Sequence, residues 1–171
     1  MSKYEKAIKG YEDWKDYVKP GLQTLKKDES KRFKCSKPYS YSLSVKLDDY
    51  YKEIKKEDND NRWDYIVLYN KEGKTIQEYL IYIEIHYWGS EGKKDIDKVL
   101  LKLQWLKERI NLELNFINNQ KEDYPKYFWF LTPKGKVVPK TLDKYKARLK
   151  KEQLHVITSP EFDYPKYLEK K

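Results

Sequence analysis

At 171 residues the chain is long enough to enclose one core without disulfide or metal support, and short enough to form one domain. Its 17 Tyr, 5 Trp and 5 Phe exclude a disordered chain, and its lone cysteine, Cys35, excludes an internal disulfide and a cysteine-based zinc cluster. A net charge of +9 and a pI near 9.2 favour polyanionic partners, nucleic acid foremost. The arginines are Arg32, Arg62, Arg109 and Arg148, so most of the basic excess is lysine, which a Lys-rich composition bias also explains. No apolar run follows Met1, and no segment approaches the ~18 apolar residues of a membrane span, so a soluble, cytoplasmic protein is expected.

In residues 4–18, Tyr4, Ala7, Ile8, Tyr11, Trp14, Tyr17 and Val18 fall three or four apart, which predicts an amphipathic helix stopped by Pro20-Gly21. Residues 22–38 are mixed and charged, and read as a helical turn and a loop. Tyr39 to Val45 alternates like an edge or first strand, and Asp48 opens a short helix with carboxylates suited to an N-terminus. Glu57 to Asn61 is a polar turn. From it emerges Arg62 to Tyr69, a strand apolar on both faces and therefore central.

A turn at Lys71 to Lys74 leads to residues 78–88, the most β-prone run of the chain. The polar loop Gly89 to Lys94 precedes a helix over residues 95–116, with Ile96, Val99, Leu100, Leu103, Leu106 and Ile110 on its apolar face. Asn118 to Asp123 is a loop and Tyr127 to Thr132 a buried strand ended by Pro133 and Gly135. Residues 141–152 form a helix with Thr141 as N-cap, Leu154 to Thr158 a last strand, and residues 159–171 an irregular tail. The order predicts a single α/β domain with a mixed central β-sheet flanked by helices. The pentapeptide at Asp123 to Tyr127 recurs at Asp163 to Tyr167, by chance or as a shared extended strand entry set by proline.

Three residues break the apolar pattern of the strands. Asp64 opens one strand, and Glu84 sits inside the next with apolar neighbours on both sides. An ionised carboxylate there is costly unless paired, hydrogen-bonded or metal-bound. His86, two residues after Glu84, projects from the same face. If the strands are neighbours, the three converge. Two carboxylates make an oxygen-rich site suited to Mg²⁺ or Mn²⁺, with His86 as a further ligand or as a base. In the purely structural alternative Asp64 caps a strand end, Glu84 pairs with a Lys or Arg, and His86 is a satisfied interior residue.

Asp64 followed by Glu84-Ile85-His86, on strand–turn–strand–helix–strand, resembles the PD-(D/E)XK, or restriction-endonuclease-like, superfamily, with His86 in place of the motif's Lys and Trp63 in place of its Pro. Arg62-Trp63-Asp64-Tyr65 followed by Glu84-Ile85-His86 also resembles a bacterial branch with an Arg-Trp-Asp-Tyr start and a Glu-x-His strand. The likeness covers residues 40–158 and implies an αβββαβ core. It further implies Mg²⁺- or Mn²⁺-dependent cleavage of phosphodiester bonds in DNA or RNA, as a defence or toxin effector. Asp64, Glu84 and His86 would then be the catalytic and metal-binding residues.

The same resemblance suggests auxiliary positions. Glu12 would be an acidic residue donated by the first helix, and Lys98 or Lys102, or else Lys93 or Lys94, would supply a relocated ammonium. Gln104 resembles a glutamine that some branches carry after the core motif. Trp88, Lys93 and Lys94 in the loop after His86 would hold a nucleic-acid strand by stacking and charge, unless that loop is an ordinary solvated connection. His155 reads as a core histidine. The competing functions are a catalytically inactive nuclease-fold protein that binds nucleic acid, and a module for a protein partner or homodimer. Walker, dinucleotide, HExxH and nucleophile-elbow motifs do not occur in the sequence.

Overall fold

A computed structural model describes residues 2–87, 92–118, 122–132 and 141–168. The elements in chain order are α1 (Lys3–Lys9), a 3-10 turn (Glu12–Trp14), β1 (Val18–Pro20), α2 (Lys27–Ser30), β2 (Phe33–Lys34) and β3 (Tyr39–Lys46). They continue with α3 (Leu47–Glu53), β4 (Tyr65–Lys71), β5 (Gln77–Tyr87), α4 (Lys93–Leu112) and a second 3-10 turn (Asn115–Ile117). The chain then forms β6 (Tyr127–Thr132), α5 (Thr141–Lys151), β7 (Leu154–Ile157), β8 (Phe162–Asp163) and α6 (Pro165–Leu168).

Six strands make a mixed sheet in the order β1-β3-β4-β5-β6-β7. The pairs β1–β3, β3–β4 and β4–β5 are antiparallel, whereas β5–β6 and β6–β7 are parallel. Parallel neighbours need a crossover, and α4 and α5 supply the two. The expected mixed sheet flanked by helices is therefore present, but α3 interrupts the expected run of three strands, so the order along the chain is β3, α3, β4, β5, α4 and β6. Both faces are apolar. On one, Leu80 and Tyr82 of β5 pack with Ile66, Leu68, Tyr50, Val99, Leu103, Leu106 and Leu149 beneath α3, α4 and α5. On the other, Ile81, Ile83, Tyr65 and Val67 pack with Leu25, Phe33, Phe162 and Tyr164. That double burial explains why β4 and β5 read as continuous apolar runs rather than alternating ones.

The strand expected from Arg62 begins only at Tyr65, the helix expected over 95–116 spans Lys93–Leu112, and the two ends of the chain differ further. The N-terminal helix does not span 4–18: it ends at Lys9, and Val18 instead pairs with Val45 at the edge of the sheet. Gly10 caps it, and a Cβ there would lie 3.0 Å from the Lys6 carbonyl. The helix is anchored at its other end by Glu78 of β5. That carboxylate accepts the Ser2 hydroxyl and the Tyr4 N–H (3.1 Å), which satisfies donors that a helix start leaves open. The C-terminal segment is not irregular either. β8 pairs in parallel with β2, and Pro165 opens α6, where its fixed φ suits the first helical position. The repeated pentapeptide thus enters a strand at its first copy and a helix at its second. The copies touch, because the Tyr164 hydroxyl donates to the Pro125 carbonyl at 2.9 Å. Thr141 is the first residue of α5, and its side chain lies outside the described set.

Candidate functional site

β4 and β5 are paired so that Tyr65 opposes Ile83 and Ile66 opposes Tyr82. One step further, the same register sets Asp64 against Glu84. Both carboxylates lie on the face covered by α4, the face of Leu80, Tyr82, Ile66 and Leu68.

Each residue is hydrogen-bonded through the other's strand. The Asp64 N–H donates to Glu84 Oε2 at 3.2 Å, and the Ile85 N–H donates to Asp64 Oδ2 at 2.8 Å. From α4, the Lys102 ammonium donates to Glu84 Oε1 and lies 3.9 Å from Asp64 Oδ1. Glu84 is 1% exposed, Lys102 12% and Asp64 22%, so the cluster opens to solvent on the Asp64 side.

The electrostatics follow from this burial. Desolvation pushes the Asp64 carboxyl up to about 6, against the pull of Lys102 and the Ile85 N–H. Desolvation and the neighbouring Asp64 raise Glu84 well above the carboxylate range, and Lys102 opposes both. Burial lowers Lys102, but Glu84 and Asp64 outweigh it and leave the ammonium above its ordinary value. Two carboxylates against one ammonium make a cluster that holds one proton or one further cation readily.

Arg62 fixes the approach to Asp64. It is 8% exposed, and its guanidinium donates to Asp48 Oδ1 (2.7 Å), to the Glu57 carbonyl (2.9 Å) and to the Asn59 carbonyl. The Leu47 N–H, at the start of α3, donates in turn to the Asp64 carbonyl at 2.9 Å. The polar turn after α3 is thereby tied to the helix start, and Asp64 is delivered at a fixed height on the sheet. A single arginine with three acceptors is suited to this because its donors form a rigid fork.

The remaining expected site residues separate. His86 shares the Glu84 face but is half-buried, with burial, Lys102 and Lys98 lowering its pKa and Asp95 opposing them. Two residues of strand, about 6.6 Å, separate it from Glu84. Among the described residues no three His, Cys, Asp or Glu side chains gather as a metal-holding group. Glu12 is exposed in the first 3-10 turn and pairs with Lys15 at 3.7 Å. Gln104 is exposed and donates to Glu108 at 3.0 Å, about 200° round α4 from Lys102. Lys98 is exposed beside His86 on the solvent side, and Lys93 and Lys94 are exposed at the start of α4. Trp88 lies outside the described residues, as does the loop from Gly89 to Glu91. His155, expected in the core, is half-buried rather than buried, its ring centroid 5.3 Å from that of Phe128.

The residue that sequence alone placed only among several auxiliaries is therefore the one at the centre. Lys102 lies at the edge of the apolar stripe of α4, one place before Leu103 and three after Val99, and that position was its only signal. Arg62 was visible only as part of a resemblance.

Asp64 and Glu84 offer hard oxygen donors, and Asp64 Oδ1 lies 3.9 Å from the Lys102 ammonium, so the donor chemistry fits Mg²⁺ or Mn²⁺. No protein-family model, curated protein or solved structure matches the chain. Among the described residues, no helix is long and apolar enough to cross a membrane.

Proposed function

We propose that the protein is a metal-dependent nuclease-like protein acting on the phosphodiester bonds of DNA or RNA, with Asp64, Glu84 and Lys102 as its working residues. One observation supports this above the others: two carboxylates from adjacent strands and an ammonium from the following helix meet at a solvent-facing edge of an otherwise apolar core. This arrangement keeps the order of acidic residues by which the sequence resembles the PD-(D/E)XK superfamily, and moves the ammonium from position 86 to α4.

Asp64 and Glu84 would hold a Mg²⁺ or Mn²⁺ ion. Bound there, such an ion would polarise a phosphodiester and acidify a water. Lys102 holds the two carboxylates together and presents its charge where negative charge develops on a substrate phosphate. Asp64 and Glu84 stay aligned through the Asp64 and Ile85 N–H groups. His86, neutral because it is half-buried beside two ammoniums, is available to take a proton at the outer edge of the site. The basic balance of the chain favours approach of a polyanion.

A second reading, the catalytically inactive nuclease fold, is favoured by a separate observation: both oxygens of Glu84 are already committed, to Lys102 and to the Asp64 N–H. The two readings separate in one experiment. Purified protein is incubated with single- and double-stranded DNA and with RNA, in Mn²⁺, in Mg²⁺ and in chelator, alongside Asp64→Asn. Metal-dependent cleavage abolished by Asp64→Asn supports the nuclease. Salt-sensitive binding of the same substrates, without cleavage in either metal, overturns it and leaves the inactive reading.

A further inference from the structure

Lys107 leaves α4 roughly 140° round the helix and ~7.5 Å along it from Lys102, and so on the opposite flank. The contacts agree. Lys102 meets Asp64 and Glu84, whereas Lys107 meets the Glu152 carboxylate at 3.0 Å and the Glu152 carbonyl at 3.2 Å, beyond the end of α5. Here a pocket of about 360 Å³ is lined by Lys107, Lys126, Tyr127, Lys151 and Gln153. It lies where α5 ends and β6 and β7 begin.

The chemistry of this lining is one-sided. Three of the five side chains are ammoniums, and none is a carboxylate. Lys126 is 5% exposed, one of the few charged residues inside the protein. Burial lowers its pKa against the opposing pull of Glu122 and Asp123, both of which are exposed. Burial pushes the Tyr127 hydroxyl up to about 12, so it remains a donor. Its ring stacks on Tyr82 at 5.4 Å between centroids and lies 5.5 Å from the Lys107 ammonium, which fixes the pocket floor. The end of α5 is closed on itself, since Gln153 N–H donates to the Lys150 carbonyl at 3.0 Å and Glu152 N–H to the Arg148 carbonyl at 3.3 Å. Glu152, just past the end of α5, is engaged by Lys107.

A cavity that offers ammonium, phenol and amide donors matches a compact anion with several oxygens. The geometry points to a phosphate-binding pocket formed by Lys107, Lys126, Tyr127, Lys151 and Gln153, separate from the carboxylate cluster and taking a free phosphate or a phosphomonoester. It does not depend on the nuclease reading, because its residues lie on the other flank of α4.

Thermal unfolding of the full chain is followed against inorganic phosphate, with sodium chloride at matched ionic strength as the reference. Phosphate is expected to raise Tm beyond chloride. Lys151→Gln, an exposed change that leaves the fold untouched, is expected to weaken the apparent Kd by about tenfold, as is Lys107→Met. Lys52→Gln, on α3, is the control and is expected to leave the affinity unchanged. A short oligonucleotide bearing a 5′-phosphate, compared with its 5′-hydroxyl form, separates the two sources. Displacement of phosphate by the first alone assigns the pocket to a monoester, and displacement by neither assigns it to free phosphate. A Tm no higher in phosphate than in chloride overturns the proposal. So does a rise that persists undiminished in both Lys151→Gln and Lys107→Met.

Discussion

The backbone N–H of Asp64 donates to the Glu84 carboxylate at 3.2 Å, so the first acidic residue orients the second through its main chain rather than its side chain. The Asp64 side chain returns the relationship one residue on, at the Ile85 N–H. Two like charges are thus held side by side at the end of a strand pair, where repulsion would otherwise drive them apart. What offsets that repulsion is Lys102, together with the raised carboxyl pKa values that burial produces.

Removing the ammonium tests that balance. Lys102→Met leaves two carboxylates unpaired beneath α4, and breaking a buried pair in this way costs about 3–5 kcal/mol. The pH dependence has a defined sign. Both carboxyls titrate above their unfolded values, so protonation favours the folded state, and the associated stability is lost as pH rises through those raised values. Without Lys102 the values rise further. Urea titrations of the variant should therefore show their largest deficit near pH 8 and a smaller one near pH 5. A deficit that does not change with pH would mean that Lys102 serves packing alone.

Arg62→Lys keeps the charge but cannot reach Asp48, the Glu57 carbonyl and the Asn59 carbonyl together. Two hydrogen bonds from a charged donor are lost in a nearly buried setting, for an expected loss of about 3 kcal/mol. Thermal unfolding reads the loss. The same variant frees the turn that leads to Asp64, so any metal-stimulated activity should fall with it. Wild-type stability in Arg62→Lys would show that the turn does not depend on the guanidinium fork.

The parts of this arrangement differ in how far the sequence revealed them. β4, β5 and α4 were legible because long apolar runs and a 3.6-residue period each have one structural outcome, and Asp64 and Glu84 stood out against them. Lys102 did not stand out, because a lysine in a Lys-rich helix reads as solvated until the register of α4 over β5 is known. Tyr17 and Val18 continued the helical spacing from Tyr4, yet Gly10 closes the helix and Val18 finds a better partner in Val45. β1, β2, β8 and α6 run for two to four residues, too short for any period to register. Their positions are set by tertiary contact. His86 was legible as a residue on the Glu84 face, two residues along the same strand.

His155 gives an independent pH test far from the cluster. Burial lowers its pKa below the ordinary value, so the unfolded chain binds the proton more readily. Stability is therefore fully present above ~6.5 and declines as pH falls below it, by up to about 1.4 kcal/mol per pH unit for one group. His86 is lowered as well, so the diagnostic quantity is the difference between proteins. His155→Phe, which keeps a ring beside Phe128 and Tyr167, should flatten part of the decline between pH 6.5 and pH 5. If the two profiles coincide, His155 titrates alike in both states.

The last segment of the fold carries a larger energetic share than its short elements suggest. Phe162 is fully buried, its ring 5.2 Å from Phe33 and 5.1 Å from Phe128, and β8 adds a parallel pairing with β2. Phe162→Ala should cost about 3–5 kcal/mol through lost burial and the cavity left under the sheet. Tyr164→Phe keeps the ring among Tyr69, Tyr79 and Phe128 and removes only the donor to the Pro125 carbonyl, for an expected loss near ~1 kcal/mol. Urea denaturation of both variants should give that order, with the alanine variant several-fold the more damaging. A Phe162→Ala loss under ~1 kcal/mol would show that the second face of the sheet is closed without β8.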